Sequence, residues 1–179
     1  PQFHLSLQSG CDNTLKAMNR HYNCSEYAEI ITNLRNAFEN SSMTTDVMVG
    51  FAGETEEDFN ASLKFVKSIG FAKVHIFPYS RRKGTVADKA PNQIDPQIKE
   101  QRAKIMEQVC DETRREFLKE QVGLCESVLV ERLRHGYLEG YTKTYTPVHI
   151  NSKDTSLCGK IIDVKITKSF DDYCDAELV

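Results

Sequence analysis

The residue best suited to chemistry in this sequence is Asp46, a carboxylate in the middle of a β-prone segment. A carboxylate in a strand costs free energy unless it is paired, hydrated or bound to a ligand. Two further β-prone segments also alternate apolar and polar residues. The polar-facing positions are His4, Ser6 and Gln8 in the first segment (3–10), Thr44, Asp46 and Met48 in the second (43–50), and His75, Phe77 and Tyr79 in the third (73–80). Because alternate residues of a strand face opposite sides, each segment has one polar face.

The segments between these strands have helical periodicity, at residues 12–18, 25–38, 55–69 and 95–121. Asp12, Thr55 and the pair Asp95-Pro96 are predicted to begin three of these helices, and Gly70 is predicted to end the third. Ile98 is expected on the inward face of the last helix. Alternation of strands and helices predicts parallel βαβ units with right-handed crossovers. A parallel strand covered by helices is normally apolar on both faces. Three strands that are polar on one face therefore predict the wall of a shared wet cavity, where an active site would lie.

Two loops after these strands have compositions suited to ligand binding. Residues 50–55, with the sequence GFAGET, contain two glycines that allow a ligand to approach the backbone closely, although the loop taken alone favours a tight βα turn. The third strand leads into a basic loop with the sequence RRKG, at residues 81–84, which is a candidate phosphate site.

The pattern changes after Gly123, where short β-prone runs at 125–133, 144–150, 160–167 and 173–178 predict a small antiparallel barrel. We therefore expect two domains, at residues 1–120 and 121–179. Residues 120–179 hold seven Lys or Arg and ten Asp or Glu, so any contact with RNA needs a local patch. Arg132, Arg134 and Lys143 are candidates for it, and an ordinary barrel with solvated charges is the alternative.

Composition excludes several classes of protein. No apolar run approaches the ~20 residues of a membrane span, and the net charge of −3 gives no global attraction to nucleic acid. The six cysteines, at positions 11, 24, 110, 125, 158 and 174, lack zinc-binding spacing and predict no metal site. We expect reduced thiols and a cytoplasmic protein.

Four segments carry a family resemblance: HLSLQSGCD (4–12), LKAMNRHY (15–22), TTDVMVGFAGETEEDF (44–59) and HIFPYSRRKGT (75–85). Together they resemble the C-terminal half of the barrel of radical S-adenosylmethionine (SAM) methylthiotransferases, and the tail resembles their RNA-binding TRAM domain. The resemblance implies a half β/α barrel, SAM and two 4Fe-4S clusters as cofactors, and a tRNA anticodon loop as partner. In this family a 5′-deoxyadenosyl radical activates the substrate for sulfur insertion.

The resemblance also implies roles for individual residues. Those expected to bind SAM are Gln8, Ser9, Asp46, Gly50, Phe51, Gly53 and Phe77. Those expected to meet the substrate or RNA are Tyr79, Ser80, Arg81, Arg82, Lys83, Arg132, Arg134 and Lys143. No catalytic residue is expected within this chain.

The sequence departs from the family by lacking the CxxxCxxC motif that holds a cluster. The resemblance implies that the cluster-binding portion lies upstream of Pro1, so we expect this chain to be inactive alone. We also expect a half barrel to self-associate through its open strand edges.

Within the family, QSGCD preceded by HLSL resembles the branch that acts on N6-threonylcarbamoyladenosine at tRNA position 37. The alternatives are action on isopentenyladenosine in tRNA, action on a ribosomal protein, and a non-catalytic RNA-binding module. An unrelated barrel enzyme that uses Asp46 with a lysine or a metal is disfavoured, because no lysine lies on the polar strand faces.

Overall fold

The computed structural model describes residues 1–179. Its elements are β1 (Gln2–His4), α1 (Asp12–Ala17), α2 (Cys24–Ala37), β2 (Ser42–Val49), α3 (Glu56–Ile69), β3 (Lys73–Pro78), α4 (Pro96–Glu120), β4 (Cys125–Arg134), β5 (Tyr137–Thr142), β6 (Pro147–Ile150), β7 (Ile161–Ser169) and β8 (Cys174–Leu178). Single 3₁₀ turns lie at Ala87–Lys89 and Thr155–Leu157. None of the helices combines the length and the apolar character that a membrane crossing needs.

The chain divides into two compact units. The α/β unit comprises residues 3–39 and 43–113, and the barrel unit comprises residues 1–2, 40–42 and 114–179. The boundary expected near residue 120 lies at the end of α4, whereas the α/β unit ends within that helix, at Thr113.

The α/β unit contains a three-stranded sheet in the order β1-β2-β3. Strands β2 and β3 pair in parallel, from Thr44 opposite Lys73 to Val49 opposite Pro78, and Gln8 forms a further parallel bridge beside β2. This arrangement confirms the predicted alternation of strands and helices. The buried apolar residues of this unit include Leu7, Tyr27, Ile31, Met43, Val47, Val49, Phe59, Val66, Phe71 and Met106.

Local capping defines the helix ends. Helix α3 begins with a capping box between Thr55 and Asp58 and ends at Gly70, which has a left-handed conformation with φ 66°. Both signals were predicted from the sequence. The predicted N-cap Asp12 instead lies inside α1 and accepts a hydrogen bond from the Cys24 N–H at 2.8 Å, so it supports the start of α2.

Helix α4 begins as predicted, because Asp95 accepts a hydrogen bond from the Gln97 N–H at 2.8 Å and Pro96 is the first helical residue. The expectation that Ile98 faces inward was wrong, since it is 44% exposed. Lys99 and Arg102 are buried instead, because both bind groups of the α/β unit that are described below.

The barrel unit is a closed five-stranded barrel in the order β4-β5-β6-β8-β7. Its pairs are antiparallel except β6 with β8, which are parallel, so the predicted antiparallel barrel is correct only in part. Strand β5 was missed because Gly140 interrupts a β-prone run. The barrel needs glycine there, since a Cβ would overlap the Leu129 carbonyl oxygen. Its buried core includes Val128, Val130, Leu138, Val148, Ile150 and Val164.

Candidate functional site

The polar face of the α/β sheet is assembled around Asp46. Ser6 donates a hydrogen bond to the Asp46 carboxylate at 2.8 Å, and Nε2 of His4 lies 3.2 Å from the same oxygen. Nδ1 of His4 lies 3.0 Å from the Thr44 hydroxyl, and the His75 ring is centred 6.2 Å from that of His4. The structure therefore brings together polar residues of all three strands, as their alternation predicted.

Asp46 is held as a carboxylate at this face. Partial burial raises the pKa of Asp46, but hydrogen bonds from Ser6 and His4 and the nearby His75 lower it further, so the net shift is downward. An ionised, partly accessible acceptor beside two histidines suits a ligand that presents hydroxyl or amine donors.

The buried face of β2 holds the segment that carries the polar residues of the site. The buried Thr45 hydroxyl accepts the Leu7 N–H at 2.8 Å and donates to the Leu5 carbonyl at 2.6 Å. The Tyr27 hydroxyl also donates to that carbonyl, at 2.7 Å. These bonds hold the segment after β1 against β2, although residues 5–7 are not a regular strand.

A cavity of about 710 Å³ lies where the strands end. Gln8, Met48 and Phe51 contribute the strand-end side of its wall, and Gln8 has a left-handed backbone with φ 68°. The remaining lining residues are Lys16, Ala17, Met18, Asn19, Arg20, Ala52, Thr85, Val86, Ala87 and Ala90. Of the residues expected to bind SAM, Gln8 and Phe51 therefore share this cavity. Sequence reasoning missed the wall from 16–20, because nothing local to α1 shows which strand ends it faces.

The GFAGET loop is held by a buried ion pair. The Glu54 carboxylate accepts the Gly50 N–H at 2.8 Å and the Arg102 guanidinium at 2.6 Å. Burial raises the pKa of Glu54 against the lowering effects of Gly50 and Arg102. The Gly53 N–H donates to the Asn92 carbonyl at 2.8 Å. Both glycine N–H groups are therefore already hydrogen-bonded within the protein.

Two expected ligand contacts are buried in the structure. Ser9 is fully buried and its hydroxyl accepts the Cys11 N–H at 3.3 Å, so it shapes the turn after the first strand segment. Tyr79 was expected at the cavity mouth but is only 8% exposed, because its ring packs against Phe51 and under the Lys99 ammonium group. Phe77, by contrast, is 37% exposed.

The basic loop after β3 contains one engaged and two unpartnered cations. Arg81 donates to the Asp88 carboxylate at 2.9 Å and to the Asp88 carbonyl at 2.8 Å. Arg82 and Lys83 are exposed and their side chains have no ion pair, as expected for cations that meet a polyanion. Ser80 is exposed beside them.

The six cysteines are all free thiols. No three His, Cys, Asp or Glu side chains are grouped to hold a metal ion. The residues present therefore do not fit an iron–sulfur cluster.

In the barrel unit, two of the three expected RNA-binding cations are engaged with acids. Arg132 donates to Glu139 at 2.8 Å, and Lys143 lies 3.6 Å from the buried Glu126 carboxylate. Arg134 is exposed, with no ion pair. The expected patch is thus largely neutralised.

The barrel unit carries a row of stacked rings that was not predicted from the sequence. Tyr137, His149, Tyr173 and Phe170 follow one another with centroid separations of 6.1, 4.0 and 4.7 Å. The Lys168 ammonium group lies 4.7 Å from the last ring. These rings come from three separate segments, namely β5, β6 and the turn between β7 and β8, so no single sequence spacing could reveal the row.

Part of the chain, including most of the polar face, is similar to a known protein family. The model of the Radical SAM superfamily matches residues 1–66, from β1 into α3. This stretch of the chain is therefore similar to part of a radical SAM domain. Proteins of this superfamily use SAM and a 4Fe-4S cluster, and the cluster ligands are not in this chain.

Curated relatives match nearly the whole chain. The tRNA-2-methylthio-N(6)-dimethylallyladenosine synthase of Pelotomaculum thermopropionicum is 37% identical over 92% of this chain and 37% of its own length. The synthases of the same name from Clostridium tetani and Caldicellulosiruptor saccharolyticus are 38% and 33% identical, each over 98% of the chain and over 39% and 38% of their own lengths. The chain therefore spans less than two fifths of these tRNA methylthiotransferases.

Proposed function

We propose that the protein carrying this chain is a radical SAM methylthiotransferase that modifies C2 of an N6-substituted adenosine in tRNA. Similarity to tRNA methylthiolating enzymes along at least 92% of the chain carries this proposal. The cavity and the polar sheet face support it, because they offer both apolar and hydrogen-bonding surface to a nucleoside.

Within that activity, the α/β unit would hold SAM. Phe51 offers an aromatic surface to adenine, Gln8 offers an amide beside it, and Asp46 offers an ionised acceptor for hydroxyl or amine groups. Phe77 is exposed enough to add a second apolar contact. Gly50, Gly53 and Ser9 would act indirectly by shaping the loops. The bound cofactor supplies the radical chemistry, and the residues of this chain orient it and exclude water.

We further propose that this chain supplies one half of a parallel β/α barrel and a TRAM-like barrel that contacts the anticodon loop. Because it contains no cluster ligands, the chain by itself would be inactive. Arg82, Lys83 and Arg134 are the expected RNA-binding cations that could meet phosphate, since all three are exposed and none of them forms an ion pair. The ring row of the barrel unit adds aromatic surface suited to unstacked bases.

For the N6 substituent we propose threonylcarbamoyl, on the QSGCD loop and the preceding HLSL. The names of the relatives favour dimethylallyl as the alternative. Cys11 of this loop is buried and donates a weak hydrogen bond to Asp58 at 3.2 Å, so it distinguishes the loop without lining the cavity.

Mass spectrometry of tRNA nucleosides tests the activity and the substituent together. Cells that lack the intact gene should lose 2-methylthio-N6-threonylcarbamoyladenosine and accumulate its unthiolated precursor, and the restored gene should reverse both changes. Loss of the dimethylallyl product instead would overturn the substituent and keep the activity. If both nucleosides remain unchanged, the tRNA-modifying activity is wrong, and a ribosomal-protein target or a non-catalytic RNA-binding module takes its place.

A further inference from the structure

Two cations at the end of α1 have no acidic partner. Lys16 lies in the last turn of the helix and Arg20 lies just beyond it, and both are exposed residues without an ion pair. The favourable interaction of a cation with a helix C-terminus accounts for Lys16. It does not account for Arg20, which lies outside the helix.

Both cations line the cavity at the strand ends, and no acidic residue lines it with them. Asp46 does not line the cavity, and one of its carboxylate oxygens, Oδ2, accepts hydrogen bonds from Ser6 and His4. Apart from Gln8 and Phe51, which we assign to SAM, the wall combines uncompensated positive charge with the apolar surface of Met18 and Met48 and the amide of Asn19. Such a wall fits a ligand that has both a flat apolar part and an anionic group.

Arginine adds geometric selectivity to this charge. A guanidinium can bind a carboxylate or phosphate through two parallel hydrogen bonds, and a lysine ammonium adds a mobile point charge. Arg20 and Lys16 line the same cavity, so both groups can reach one anion that enters it.

We propose that Lys16 and Arg20 bind an anionic group of the target adenosine nucleotide, either a backbone phosphate or the carboxylate of a threonylcarbamoyl substituent. This inference rests on the proposed function and adds two substrate-binding residues to it. A dimethylallyl substituent is uncharged, so only the phosphate could occupy the site in a substrate of that kind.

The test uses the full-length protein with Lys16 and Arg20 both changed to methionine, which removes the charges and keeps apolar length. The control changes Lys64 and Lys104 to methionine, since both are exposed cations of the same unit, lie away from the cavity and have no ion pair. Equilibrium binding is measured for tRNA with threonylcarbamoyladenosine, tRNA with dimethylallyladenosine, and SAM, at several salt concentrations.

The K16M/R20M protein should bind tRNA at least about tenfold more weakly, because each lost charge-assisted hydrogen bond contributes more than the free energy of one tenfold step. The control should bind like the wild type. A loss on both tRNAs with a shallower salt dependence identifies the phosphate, since each lost phosphate contact lowers the slope by about one. A loss confined to the threonylcarbamoyl tRNA identifies the carboxylate.

Unchanged tRNA binding by K16M/R20M would overturn the site, and so would a loss of SAM binding instead. Either result, in a protein that still restores the methylthiolated nucleoside in cells, leaves the proposed function standing. A wild-type protein that binds no tRNA and restores no methylthiolated nucleoside overturns both.

Discussion

At the residue scale, the two faces of β2 have different roles, because alternate residues of a strand face opposite sides. Asp46 faces the polar side with Ser6 and His4, whereas its neighbours Thr45 and Val47 are completely buried on the other side. The Thr45 hydroxyl satisfies backbone groups of the segment after β1. One strand thus carries a candidate ligand acceptor and the anchor that positions its partners.

Gly50 shows how closely the loop is packed. Its φ of 70° is strained for any other residue, and a Cβ there would overlap Cγ of Lys99. Lys99 cannot move away freely, because its ammonium group donates to the Tyr79 carbonyl at 3.0 Å.

We expect Gly50→Ala to lower the free energy of unfolding by about 2–4 kcal/mol, from backbone strain and overpacking together. Gly53→Ala is the matched control, because Gly53 has φ 84° but a Cβ there would meet no atom within 4 Å. Gly53→Ala should lower the free energy of unfolding by about 1 kcal/mol, from backbone strain alone. Urea unfolding measures both, and equal losses would show that the Lys99 contact is unimportant.

At the element scale, the start of α3 is tied to the start of α1. The Asp58 carboxylate accepts hydrogen bonds from the Thr55 N–H and hydroxyl, at 3.1 and 3.0 Å, and from the Asn13 amide at 3.0 Å. Burial raises the pKa of Asp58, but these bonds and that from the Cys11 thiol lower it further, to about 2. The helix cap therefore also fixes a loop that precedes the cavity wall.

The sign of this shift predicts a pH dependence. A carboxyl group whose pKa is lower in the folded state contributes stability above its ordinary pKa, and the contribution is lost as the pH falls through the folded value. Asp58→Asn should therefore cost about 1 kcal/mol near neutral pH, a typical loss for a cap. The difference from the wild type should shrink as the pH approaches about 2.

Thermal unfolding at a series of pH values checks this prediction. Glu57→Gln is a suitable control, since Glu57 lies in the same first turn and is exposed, without a side-chain hydrogen bond. A difference between D58N and the wild type that is constant with pH would contradict the assigned titration.

Elements with local signals were predictable, and those set by tertiary packing were not. The helix ends at Thr55, Gly70 and Asp95 could be predicted, because the groups that form each cap are close in sequence. Strand β5 was not predicted, because Gly140 interrupts its β-prone run. Glycine is needed there because a side chain would overlap Leu129 on the facing strand, which the local sequence does not show.

The candidate site follows the same division. Alternation within the strands predicted that the polar residues around Asp46 face one side. The apolar residues of α4 did not predict that Lys99 and Arg102 face inward. Their hydrogen-bond partners, Tyr79 and Glu54, are distant in sequence. The cavity wall formed by Lys16 and Arg20 likewise depends on where α1 lies beside the strand ends.

At the scale of the whole molecule, the sheet of the α/β unit has two open edges, β1 and β3. Exposed strand edges pair with other chains. We expect the isolated chain to self-associate through β1, as anticipated for half of a barrel.

Sedimentation velocity at increasing concentration measures this association. His4→Lys should weaken it, because a lysine on an edge strand opposes pairing. His75→Lys is the matched control, since His75 is an exposed histidine of the same polar face on the other edge strand. A monomer at all concentrations, or equal effects of the two variants, would contradict association through β1.

The position of β8 in the barrel unit determines when that unit can fold during protein synthesis. Since β8 lies between β6 and β7 and pairs in parallel with β6, the ring of strands stays open until residue 178 has left the ribosome. All residues of the α/β unit precede Arg114 and emerge earlier. A nascent chain stalled before β8 should therefore expose the edges of β6 and β7 to chaperones, and proteolysis of stalled ribosome complexes would show a barrel unit that becomes resistant only after β8 has emerged.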